Sequence, residues 1–201
     1  MADGGMLVKS FVKHKIIKMT ESKNESGVRA TLAKLRRGIG KAPGSMPEIW
    51  GITMDGMPEE LVAKGDSPTY GEWAVHTVLT LYALHQQGKD IKSQCMNMEG
   101  AALGASLKKL IKDEADEIRV KRRFDAAATS DDLSEFAHHL RGLVQLLKAQ
   151  GIPLDYPALA EDLYRFQFPE ARDSVRLNWG RSFYRMAKAK AESDTQLNRK
   201  E

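Results

Sequence analysis

Apolar positions along this chain recur at intervals of three and four residues and nowhere alternate over the length of a strand, a pattern that predicts an all-α protein. The clearest segment is Tyr70–Gln87, where Trp73, Val75, Val78, Leu79, Leu81, Tyr82 and Leu84 spread around most of the helical circumference. A helix apolar on nearly every side belongs at the centre of a bundle. The same spacing predicts helices over about Leu7–Met19, with Phe11, Ile16 and Ile17 among its apolar residues, and over about Glu25–Arg37, with Val28, Leu32 and Leu35 forming one stripe. Further helices are predicted over about Glu99–Lys112, Asp116–Ala127, Leu133–Lys148 and Tyr156–Phe166, and from Pro169 to about Met186. Ser130 or Asp131 is the expected cap before Leu133, and Gly151 with Pro153 ends that helix. Trp50 falls in a short turn or helix, and residues 54–68 read as a mobile loop. The acidic run at Asp113–Asp116 looks like a junction. The expected organisation is therefore two small helical bundles packed together: residues 1–114 with loop 54–68, then residues 115–190, then a polar tail over 191–201.

Composition supports a folded chain. At 201 residues and 42% hydrophobic, it can bury a sizeable core. The single cysteine, Cys95, excludes an intramolecular disulfide and a multi-cysteine metal site. No apolar run approaches the ~20 residues of a membrane span. Lys9, Lys13, Lys15 and Lys18 interrupt the N-terminal segment, which is unlike a signal peptide, so the expected location is cytoplasmic. His14, His76, His85, His138 and His139 include no i, i+4 pair, and no metal site is expected. His76 and His85 are expected at the core edge as neutral rings. Gly38, Gly40 and Gly44 invite comparison with a phosphate loop, but a helix precedes them where a strand is needed, and Ala42 follows Lys41. No Gly-x-Ser-x-Gly elbow is present, and Cys95 has no neighbouring base in sequence. The reading is a protein without catalytic machinery or cofactor.

Charge changes the picture more. The net charge of +4 is modest, but acidic residues gather at positions 113–117 and 131–135, which leaves basic residues dominant elsewhere. Thr31–Pro47 carries Arg36 and Arg37 at a helix end, then Lys41 in a turn where Gly38 and Gly40 are expected at positive φ. Such cations also complement a helix dipole, so alone they prove little. A second cluster, Arg119, Lys121, Arg122 and Arg123, surrounds a helix turn anchored by Phe124, and Lys108, Lys109 and Lys112 face water on the helix before it. On the last helix Arg172 and Arg176 flank an apolar face of Val175, Trp179 and Phe183, while Arg181, Arg185 and Lys188 gather opposite. Any one cluster is usually a solvated face. Several together, rich in the guanidinium that matches phosphate geometry, make a polyanion-binding protein the leading class.

The order of motifs carries a resemblance. LRRGIGKAPGSMPEIW, then GEWAVHTVLTLYALHQQG, MEGAALGASLKKL, the basic helix beginning RVKRRF, and VRLNWGRSFYR resemble in sequence the small subunit of type I-E CRISPR Cascade surveillance complexes, the CasB family, from about Phe11 to Tyr184. The resemblance implies a non-catalytic helical subunit that sits with a second copy of itself beside the backbone and large subunits. Its implied nucleic-acid partners are crRNA and target DNA, including the displaced strand, whose R-loop it stabilises. Arg36 and Arg37 match the family's LRRG-type pair, Arg122 and Arg123 its basic-helix pair, and Arg141 a basic position on the next helix. Charge placement adds Lys41, Lys108, Lys109, Arg119 and Lys121 as nucleic-acid contacts. The lysine-rich segment before Phe11 and loop 54–68 depart from the family pattern. Two other readings stand beside this one: an architectural adaptor whose cations meet acidic protein surfaces only, and a small helical enzyme.

Overall fold

Short polar side chains set most helix starts in the computed structural model, which describes the backbone over residues 3–197 and side chains over 3–185. Asp3 caps α1 (Gly4–Thr20), Asn24 caps α2 (Glu25–Arg37), and a 3-10 turn at Pro47–Ile49 leads into α3 (Trp50–Thr53). Thr69 and Glu72 close a reciprocal capping box on α4 (Tyr70–His85). After α5 (Leu103–Lys108), Asp113 caps α6 (Glu114–Ala128). Asp132, in extended conformation, caps α7 (Leu133–Gln150) by accepting from the Glu135 amide at 2.8 Å. Ser130 and Asp131 do not hold that role: Ser130 is buried, and its hydroxyl donates to the Ala126 carbonyl at the end of α6. Asp155 caps α8 (Tyr156–Phe166), and α9 (Pro169–Leu197) closes the described chain.

Three features differ from the plain apolar pattern of the sequence. The helix expected over Glu99–Lys112 shrinks to α5, because Gly100 takes φ +78° and the chain before α5 pairs with another segment. Met98 donates to the Leu154 carbonyl, Leu154 to Met96 and Asp155 to Ala101, at 2.8–3.1 Å. These bonds, with a turn closed by the Ala101 amide on the Met98 carbonyl, keep residues 96–101 out of the helix. Ile17 points outward at 41% exposure, and Lys15 is buried in its stead, donating to the Gly51 and Asp55 carbonyls. Finally, α9 continues past Met186 to Leu197. The inward placement of Met186, the Lys188 stripe position and the chain end at 198–201 lie outside the described residues.

The centre is α4, where every residue from Ala74 to His85 is buried. It packs on α1, α2, α7 and α8. Two groups of helices result. In one, α1 lies on α8 and α2 on α4; in the other, α5 lies on α9 and α6 on α7. The α4–α7 and α8–α9 contacts join the groups, and the apolar residues form one contiguous core. Helices from either side of residue 114 thus occur in both groups. Gly104 allows α5 and α9 to approach closely: a Cβ there would press on the Trp179 carbonyl and lie 2.5 Å from the Phe183 nitrogen. Loop 54–68 is anchored by buried Leu61, whose carbonyl accepts from the Thr69 hydroxyl, and by the Ala63 amide donating to Glu72. Among the described residues no strand forms, and Asn97–Leu154 is an isolated bridge.

Candidate nucleic-acid interface

The α2 end is positioned by contact with α4. His76 donates from Nε2 to the Gly38 carbonyl at 2.9 Å, tying the turn after Arg37 to the central helix. Gly38 has an ordinary φ of −81°, so the expected positive φ is absent there. Its side-chain-free surface is needed for space: a Cβ would lie 3.1 Å from the Ile49 and Thr80 side chains. Gly40, at φ +75°, makes the left-handed turn that presents Lys41. Trp50 fastens the loop by donating its indole N–H to the Gly44 carbonyl at 2.9 Å.

Arg141 and Lys148 lie seven residues apart on one flank of α7. Lys41 and Arg141 line the same cleft of about 280 Å³, whose wall includes His76. Arg36 and Lys89 line a neighbouring cleft of about 380 Å³. Lys148 donates to the Gln87 side-chain oxygen at 2.8 Å, and its ammonium pKa is lowered by burial and then by the charges of Arg36 and Lys89. Arg36, Lys41, Lys89, Arg141 and Lys148 thereby belong to one face built from the ends of α2 and α4 and the flank of α7. Among the described residues, none of these five has a carboxylate within ion-pair distance. Lys148 and Lys89 were not among the residues assigned from sequence. The seven-residue spacing from Arg141 signals the first; nothing local signals the second, which rides on the turn at Gly88.

The remaining assigned cations sit elsewhere. Arg119 pairs with Asp116 and lines a shallow cleft with Leu146 and Gln150, on the flank of α7 opposite Arg141. Lys121, Arg122 and Arg123 are exposed around the buried Val120, Phe124 and Ala127 of α6. Arg37 pairs with Glu48 at 2.8 Å. Lys108 approaches Glu117 at 3.8 Å and lies over the Phe183 ring, while Lys109 is exposed. Exposed pairs of this kind contribute about 0–1 kcal/mol and yield readily to a phosphate. The ten assigned residues therefore do not make a single patch; they divide across α7. On α9, Arg172 and Arg176 lie over the Phe166 ring, and Arg176 donates to the Ser130 carbonyl at 2.8 Å, whereas Arg181 and Arg185 are exposed.

Among the described residues no cluster of His, Cys, Asp and Glu suits a metal ion, and no helix is long and apolar enough to cross a membrane. Comparison with known proteins bears on the whole molecule. No curated protein sequence matches significantly. The structure is similar to CasB from Thermobifida fusca, at 32% identity over 89% of this chain and 98% of that one, with a TM-score of 0.74. It is similar to the Cse2-family CRISPR-associated protein of Thermus thermophilus, at 26% identity over 92% and 99%, with a TM-score of 0.63. A chain of a CRISPR RNA-guided surveillance complex shares the fold at 19% identity over 93% and 99%, with a TM-score of 0.64. The family model described as CRISPR-associated protein Cse2 matches residues 31–184. With that match running from within α2 to the apolar face of α9, the chain belongs to the Cse2 family of CRISPR-associated proteins.

Proposed function

We propose that this protein is the small subunit of a type I-E crRNA-guided surveillance complex and acts there, in the cytoplasm and without catalysis, by holding target DNA opened by the guide. The observation that carries the reading is the crowding of Arg36, Lys89 and Lys148, with Lys41 and Arg141 on the same face, without carboxylate partners among the described residues. Like charges gathered in this way repel one another, and a phosphate backbone relieves that repulsion. Phosphate contacts position a strand without reading its sequence. In a guided complex base pairing does the reading, and because strand exchange is nearly balanced, modest contacts to the backbone tip it. The α6 cations on the far flank of α7 supply a second track, so target and displaced strands can be held apart. The family fold occurs in a guided complex, which supports backbone and large subunits, a second copy of this chain and crRNA as partners. A second copy extends each track and multiplies weak contacts.

The test is retention of double-stranded target by the assembled complex carrying Arg36→Gln, Lys41→Gln and Arg141→Gln together. Retention should fall with assembly intact, and the log–log salt slope should flatten by about 0.7–0.9 for each phosphate that is no longer neutralised. Ejection of the subunit with no separable DNA defect would instead support the architectural adaptor. Unchanged retention across the salt series would refute the DNA-facing role.

A further inference from the structure

Where the N-terminus of α4 meets the C-terminus of α8, the surface differs in character from the rest of this basic chain. The strap from Pro58 to Thr69 is pinned there. Leu61 is buried, its carbonyl accepts from the Thr69 hydroxyl, and Glu72 accepts from the Ala63 and Thr69 amides at 3.3 and 2.7 Å. A Cβ on Gly71 would lie 3.1 Å from the Leu61 side chain, so strap and helix are in contact. Tyr70, the first residue of α4, stays 46% exposed, with its ring edge-on to Phe168 at a centroid distance of 4.9 Å. Phe168 in turn meets the Tyr164 ring at 5.2 Å, and Val62 on the strap is 38% exposed. Apolar surface is thus presented in a fixed arrangement. Beside it stand the exposed carboxylates of Glu59, Glu60, Asp66 and Glu170, and among the described residues none of the four has a cation within ion-pair distance. Glu59, Glu60 and Val62 line one broad groove with Lys64, the single cation of the strap.

We propose that this surface docks a lysine- or arginine-bearing segment of a neighbouring protein subunit, whose cations meet Glu59, Glu60 and Asp66 and whose side-chain stems pack on Val62 and Tyr70. Unpaired carboxylates repel a phosphate backbone, so the occupant is protein and not nucleic acid. A tyrosine ring attracts a guanidinium, and the carboxylates supply the matching charge. Tyrosine and arginine are also the residue types that carry much of the binding energy at protein interfaces. Opposite charge on the two partners speeds and orients their encounter. The exposed cations of this chain serve nucleic acid in the proposed role, so the occupant is a different subunit and not a second copy. This inference rests on the proposed place in a surveillance complex and gives that place a protein-facing surface.

The experiment uses the assembled complex, with Tyr70 replaced by the photocrosslinking residue p-benzoylphenylalanine, which keeps an aromatic ring at that position. Irradiation should join this chain to a different subunit, with the new bond close to a lysine or arginine of that subunit. An adduct with a second copy, an adduct with nucleic acid, or no adduct would overturn the docking surface. Glu59 and Glu60 are exposed, so Glu59→Gln with Glu60→Gln tests their charges without disturbing the core. This variant should dissociate from the complex about tenfold faster than wild type, and an unchanged rate would overturn the inference. An unchanged rate in a complex that still retains opened target removes this surface alone and leaves the proposed function standing. A wild-type chain that joins no guided complex would overturn both.

Discussion

His85 is fully buried with Nδ1 2.8 Å from the Tyr156 hydroxyl, and burial, aided by the Lys89 charge, lowers its pKa to about 4. The unfolded ring titrates near 6.5. Between those values the unfolded chain binds the proton, so this stability is complete above pH ~6.5 and is lost as pH falls toward 4, on the order of 3 kcal/mol. Asp162 runs the other way. Burial raises its pKa to about 6 even though the Trp179 indole donates to it at 2.6 Å. Here the folded state binds the proton, and stability is lost as pH rises from about 4 to 6, by a similar order. The two residues offset each other in that window. Asp162→Asn removes the opposing half while retaining an oxygen for Trp179, so the variant should melt a few degrees higher at pH 7 and lose more melting temperature than wild type between pH 7 and 4.5. Thermal unfolding across pH checks both. From sequence, the apolar surroundings of α4 already marked His76 and His85 as neutral and inward. Their partners were not legible: Gly38 is 38 residues from His76 and Tyr156 is 71 from His85, separations that no local pattern spans.

Element boundaries were legible where local chemistry decided them. α2 and α8 begin and end where the sequence placed them, because Asn24, Gly38, Asp155 and Pro157 act within their own turns. α5 was not, because the bonds that shorten it come from residues 154 and 155. Gly104, the second glycine of MEGAALGASLKKL, is legible only as part of a motif, and its cause is the neighbouring backbone of α9. Gly104→Ala should therefore lower stability by about 2–3 kcal/mol in urea unfolding, since backbone must shift to admit one methyl group. Gly142, mid-way along α7, has open space where its Cβ would go, and Gly142→Ala should raise stability by about 0.5–1 kcal/mol in the same assay. A result of equal sign for the two would refute this account of both glycines.

At the scale of the molecule, the spacing of apolar positions identified the all-helical fold and the order of motifs the family, and both hold. Charge placement named the cations but not how they are grouped on the surface. Whether Arg119 and Arg141 share a surface depends on which flank of α7 receives α6, a fact fixed by the packing of Val120, Phe124 and Ala127. Because the two sets are separated by α7, their contributions should add. In the assembled complex, Arg122→Gln with Arg123→Gln and Arg36→Gln with Arg141→Gln should each weaken target binding, and the four together should equal the sum within about 0.5 kcal/mol. Strong coupling would instead mean that one strand crosses both flanks.

The clasp of α1 on α8 also bears on how fast the chain folds. Val8, Phe11 and Val12 are buried, α1 packs on α8, whose first residue is Tyr156, and Lys9 and Asp3 reach Glu161 and Arg165 across that seam. The two helices are far apart in sequence, so the part of the α1 apolar face that α8 covers closes only by a long-range contact, and that contact is of the slow-forming kind.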